Sequence, residues 1–134
     1  MTERSYAHRD VLDKLGIRAG QNVRLVDDAG LVDADLRRRV AERVQQDAGD
    51  EPLDLVLVSV SPATDVVPLL RFWRERIASS GGIWLLSAKR GHEGYVDQRQ
   101  LIAAGLEAGL VDNKVCSVSD RVSALRFVIR RRDR

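Results

Sequence analysis

The segment Ser87-Ala-Lys-Arg-Gly-His-Glu-Gly-Tyr95 holds the densest set of chemistry-bearing residues in this chain. Lys89, Arg90 and His92 together could hold an anion. His92 could also move a proton, since imidazole titrates near neutral pH. Gly91 and Gly94 would let the backbone flex around such a ligand. The competing reading is a flexible loop with unrelated charges. A second set lies upstream: Asp27 in Asp27-Asp28-Ala29-Gly30, and Ser59 and Ser61 in Ser59-Val60-Ser61-Pro62. Asp27, Ser59, Ser61, Lys89 and His92 are expected to converge on one rim of the sheet. Open α/β sheets place ligands at that rim, at the carboxyl ends of their strands.

Other chemistries find less support. Cys116 is the one cysteine, so no disulfide within the chain and no multi-cysteine zinc site can form. It alternates with Lys114 and Val118 and reads as a small buried hydrophobe. His8 and His92 share no metal-ligand spacing. Net charge is +2, with 22 basic residues set against 20 acidic ones, so no global field draws in nucleic acid. Arg37-Arg38-Arg39 with Arg43, and the tail from Arg130, are local basic clusters. They lack the interleaved aromatics that stack on bases, which makes nucleic acid an unfavoured partner. Trp73 and Trp84 lie on apolar faces and read as core.

The elements that must position these residues follow from apolar periodicity. Residues 1–8 read as a mobile lead and residues 9–134 as one domain, a length that can bury a real core. Short helix 9–15 precedes strand 23–26. Helix 33–46 carries Leu36, Val40 and Val44 on one stripe. Leu53–Val60 is a buried strand, Asp65–Ser79 an amphipathic helix facing the sheet through Val66, Leu70, Trp73 and Ile77, and Gly82–Ser87 a second buried strand. Helix 97–106 stops at Gly109. Strands 114–118 and 122–131 are joined by the tight turn Ser119-Asp120-Arg121. The expected fold is therefore α/β: one Rossmann-like domain of two or three layers. Its five-stranded, mostly parallel sheet has the order 1-2-3-5-4 and ends in a hairpin. The apolar runs are far shorter than the ~20 residues of a membrane span and no signal peptide is visible, so a cytoplasmic protein is expected.

The opening Lys14-Leu-Gly-Ile-Arg-Ala-Gly-Gln21, the strand Ile83-Trp84-Leu85-Leu86 and the ending from Gly109 to Arg131 closely resemble an uncharacterised bacterial family. It is catalogued as a domain of unknown function. The resemblance spans about Val11 to Arg131. Family members tend to follow the third strand with a proline and paired lysines. Here Ser87-Ala88-Lys89-Arg90 keeps the basic pair and loses the proline. The shape is also similar to the C-terminal half of class I methyltransferases. What this resemblance implies is a shape without an established chemistry.

Cofactor binding is not expected. S-adenosylmethionine or a dinucleotide needs close backbone approach, hence two or three glycines after the first strand. Asp27-Asp28-Ala29-Gly30 offers one glycine and two carboxylates. The ribose-binding half of a methyltransferase has no room between the first two strands. The leading reading is a non-catalytic, methyltransferase-like module that binds another protein or itself. The alternative is a small enzyme or anion-binding module built on the loop after the third strand.

Self-association follows from an assumed topology. If every crossover is right-handed, helices 33–46, 65–79 and 97–108 share one face and helix 9–15 alone covers the other. Yet Leu55 and Leu57 alternate with Val56 and Val58, and Leu85 with Trp84 and Leu86, as in strands buried on both sides. A homodimer that hides the uncovered face is therefore expected; the alternative is an N-terminal segment that spreads further over it.

Overall fold

The computed structural model describes residues 10–44 and 50–134. The expected lead at 1–8, Arg9, and the last two residues of the expected helix 33–46 lie outside them. The chain runs α1 (Val11–Lys14), β1 (Val23–Val26), α2 (Ala34–Arg43), β2 (Leu53–Ser59), α3 (Val66–Arg74), β3 (Ile77–Ala88), α4 (Gln98–Glu107), β4 (Leu110–Ser117) and β5 (Val122–Ile129), then a 3-10 turn at Arg131–Asp133. The sheet order is β1-β2-β3-β5-β4. β1, β2 and β3 pair in parallel, and β5 runs antiparallel to both β3 and β4. Topology and hairpin are those expected from the sequence.

Several boundaries differ, each for a local reason. Helix α3 stops at Arg74, and Ile77 to Ser79 belong to β3. Ile77 keeps the apolar spacing of the helix, but it pairs with Leu53, and the Leu53 amide donates to the Arg76 carbonyl at 2.9 Å. Ser79-Ser80-Gly81-Gly82, at the expected end of that helix, is instead an irregularity within the strand: Ile77 pairs with Leu53 and Gly82 with Leu55. A Cβ on Gly81 would stand 2.8 Å from the Leu53 carbonyl oxygen, so the bulge needs glycine there. Strand β4 begins at Leu110, not at Lys114, because Leu110 pairs with Ile129 directly after the helix. Helix α2 ends at Arg43, since Val44 is already extended.

The faces also differ from expectation. Leu70 and Trp73 of α3 and Leu101 of α4 pack on Val56, Val58, Ile83, Leu85, Leu125 and Phe127. Leu12 of α1 and Leu36 and Val40 of α2 pack with Leu55, Leu57, Trp84, Leu86 and Ala124. Among the described residues the architecture is three layers, two helices on each face. The β1–α2–β2 and β2–α3–β3 connections advance the same way across the sheet yet lie on opposite faces, so they are of opposite hand. The assumption of uniform right-handedness fails at α2, and the uncovered face on which the dimer expectation rested does not exist. Ion pairs fix α2 there: Arg39 bonds Asp10, and Arg43 reaches Asp10 at 3.4 Å and Asp13 at 2.9 Å. The Trp84 indole N–H closes the layer by donating to the Leu15 carbonyl at 2.9 Å.

Candidate functional site

The carboxyl edge of the sheet is organised around Asp27. Its carboxylate accepts from the Leu31 amide at 2.8 Å and the Val32 amide at 2.9 Å. Arg37 lies 3.6 Å away, and the Asp27 side chain is only 5% exposed. The Ser59 hydroxyl accepts from the Ala29 amide at 2.9 Å and bonds Asp27. Burial works to raise the Asp27 pKa, but Ser59, the two amides and Arg37 outweigh it and hold the carboxyl below its ordinary value. Asp27 and Ser59 do come together. What they do is close the β1–α2 loop on itself by accepting from the Ala29, Leu31 and Val32 amides.

The other candidates divide. Lys89 donates to the Ser117 hydroxyl at 2.6 Å, and its amide donates to the Arg121 carbonyl at 2.8 Å. Arg90 lies 5.3 Å from the Tyr95 ring centroid. Both line a cavity of about 350 Å³ with Tyr95, Asp97 and Arg99. His92 and Ser61 line a separate, open cavity of about 480 Å³ with Glu93, Arg121 and the start of the β1–α2 loop. Ser61 is occupied by its own turn: its amide donates to Thr64 Oγ1 at 2.9 Å and its hydroxyl accepts from the Ala63 amide at 3.2 Å. Lys89 and His92 therefore share an edge but not a cavity. The loop between them is tied by successive turns, His92 N–H to the Lys89 carbonyl and Tyr95 N–H to the His92 carbonyl, each 3.1 Å. Gly91 and Gly94 take positive φ of 87° and 84° to make those turns. Their role is to shape the loop.

Arg121 and Tyr95 were missed by sequence reasoning. Arg121 belongs to the hairpin turn and donates to the Gly30 carbonyl at 3.3 Å. Only the spatial order of the strands brings that turn beside the β1–α2 loop, and no local pattern encodes it.

Nucleophile and metal chemistry gain nothing from the geometry. Cys116 is half-buried, and burial pushes its thiol pKa up despite Lys14 and Lys114 nearby. Among the described residues no group of three His, Cys, Asp or Glu side chains is placed to hold a metal, and no helix is long and apolar enough to cross a membrane. The arginine run is spent on ion pairs, Arg37 with Asp27, Arg38 with Asp35 and Glu42, and Arg39 with Asp10.

Residues 12–131 match the family model described as protein of unknown function, DUF3052. The chain belongs to this family. Among curated proteins none matches. The fold is similar to solved structures, methyltransferases among them. The CcbJ methyltransferase from Streptomyces caelestis is 11% identical with a TM-score of 0.56, over 89% of this chain and 87% of that one. The TehB-like SAM-dependent methyltransferase from Corynebacterium glutamicum is 10% identical with a TM-score of 0.54, over 96% and 94%. The pyocyanin biosynthetic protein PhzM is 13% identical with a TM-score of 0.60, and the match takes in 87% of this chain but 52% of that one. At these identities the likeness is one of fold.

The TehB-like neighbour is a SAM-dependent methyltransferase; at the carboxyl edge of this chain's sheet the loop amides already have partners. The amides of Ala29, Leu31 and Val32 are already bonded within the protein.

Proposed function

We propose that this chain works by binding rather than by methyl transfer. The observation that carries the reading is the closed β1–α2 loop, in which Asp27 and Ser59 take up the amides a cofactor would use. Opening it would strip a buried carboxylate of its amide partners, which costs the full desolvation of each group left unmade. The fold retained is a rigid three-layer scaffold. The bound species, a small molecule or a protein, is held on its surface or edges. The catalytic alternative built on Lys89 and His92 receives less support, because each has its own cavity.

Calorimetric titration with S-adenosylmethionine and S-adenosylhomocysteine tests the reading. The expected result is no saturable heat at micromolar to millimolar cofactor. Micromolar affinity for either would overturn it.

A further inference from the structure

At the amino edge of the sheet, opposite the site described above, an open cavity of about 370 Å³ is lined by Arg18, Asp54, Ser80, Trp84, Lys114 and Arg126 among others. Three cations face one carboxylate, and that carboxylate is engaged: Asp54 accepts from the Asn22 amide at 2.8 Å. Among the described residues, none of the three cations has an ion-pair partner.

Arg126 is the odd residue. It sits mid-strand in β5, half-buried, and among the described residues its guanidinium has no hydrogen-bond partner. Burial, and secondarily the nearby Arg134, lower its pKa, the sign of a cation held without compensation. Its partner across the ladder is Lys114 on one side and Trp84 on the other. Like charges directly opposed on adjacent strands are destabilising. A register shift lies between Asp112 and Lys114, and the Lys114 ammonium donates to the Lys14 carbonyl at 3.0 Å; bulges are over-represented beside binding sites. Gly82 leaves room for the guanidinium, since a Cβ there would stand 2.5 Å from Arg126 Nε. A half-buried cation, a like charge opposite it and an empty Cβ position are each a local cost, and such costs cluster at functional sites.

We propose that this cavity binds a small oxyanion of the phosphate class, gripped in bidentate fashion by the Arg126 guanidinium with Lys114 and Arg18 as additional charges. A planar guanidinium fork matches phosphate oxygens, and the ammonium acts as a point charge. The anion supplies the charge that Arg126 and Lys114 lack. The site lies away from the carboxyl edge, so it stands whether or not that edge admits S-adenosylmethionine.

The test is melting temperature against inorganic phosphate and against phenyl phosphate, with chloride holding ionic strength constant. A saturable rise is expected with at least one of them. The stronger response tells free phosphate from a phosphate monoester. R126M and K114M should each weaken the response by about tenfold or more, while R38M, which removes a charge from the outer face of α2, should leave it unchanged. Without anion, R126M should melt at or above the parent temperature, because it relieves an uncompensated charge. No saturable response in the parent, an unaltered response in both R126M and K114M, or an equal loss in R38M would overturn the site.

Discussion

Replacing Asp27 by alanine separates a loop that is closed from one that is merely polar. Asp27 accepts from two backbone amides at 2.8 and 2.9 Å and bonds the Ser59 hydroxyl, with its side chain 5% exposed. Hydrogen bonds to a charged group contribute about 1.5–3 kcal/mol each, and a buried donor left unmade loses about 1–3 kcal/mol. Water entering the vacated space recovers part of this for the amides. The net loss for Asp27→Ala is then about 2–4 kcal/mol, or about 10 °C in melting temperature for a domain of this size. Ser59→Ala removes the acceptor for Ala29 N–H and one bond to Asp27, and should cost about half as much. Urea denaturation followed by circular dichroism reads both. A loss below about 0.5 kcal/mol for Asp27→Ala would refute the reasoning, since it would mean that solvent already satisfies these amides.

Further consequences follow from other parts of the structure. Asp97, held down to about 2 by its bonds to Arg99, and Asp27, held below 3.8, both have depressed folded values. The stability they contribute is fully present above the unfolded value near 3.8 and is lost as pH falls through the folded values. Urea midpoints should therefore drop as pH goes from 4 towards 2 (about), and drop less steeply in Asp27→Asn; parallel profiles would count against the Asp27 assignment. Gly105 of α4 faces the Phe127 ring, and a Cβ there would overlap the ring carbons Cε1 and Cδ1. Gly105→Ala should cost about 1–3 kcal/mol in urea denaturation, and an unchanged midpoint would show that α4 can lift from the sheet freely. With both sheet faces covered, light scattering at micromolar concentration should return a mass near 15.0 kDa; twice that mass would require an interface built on something other than an exposed sheet.

The sheet order was legible because Leu55–Val58 of β2 and Ile83–Leu86 of β3 are apolar runs and the β4–β5 turn is short, so pairing left few choices. The layering was not legible. On its side of the sheet α2 buries Leu36 and Val40 beside Leu12 and pairs Arg39 and Arg43 with Asp10 and Asp13, contacts between segments that no local pattern links. The end of α3 was lost for a similar reason, since Ile77 suits a helix stripe and a strand equally well and Leu53 decides between them. At the site, Asp27 and Ser59 were named from their positions after strands, yet their mutual bond is a tertiary fact. Arg126 gave no signal at all, because an arginine in an alternating strand reads as an outward, solvated residue until its neighbours are known.

The most direct measurement of the central claim is an amide-resolved NMR titration with S-adenosylmethionine, read at Ala29, Leu31 and Val32. A loop closed by Asp27 and Ser59 predicts that these amides exchange slowly with solvent and keep their shifts up to millimolar cofactor. Fast exchange at Leu31 and Val32, with saturable shifts on adding the cofactor, would contradict it.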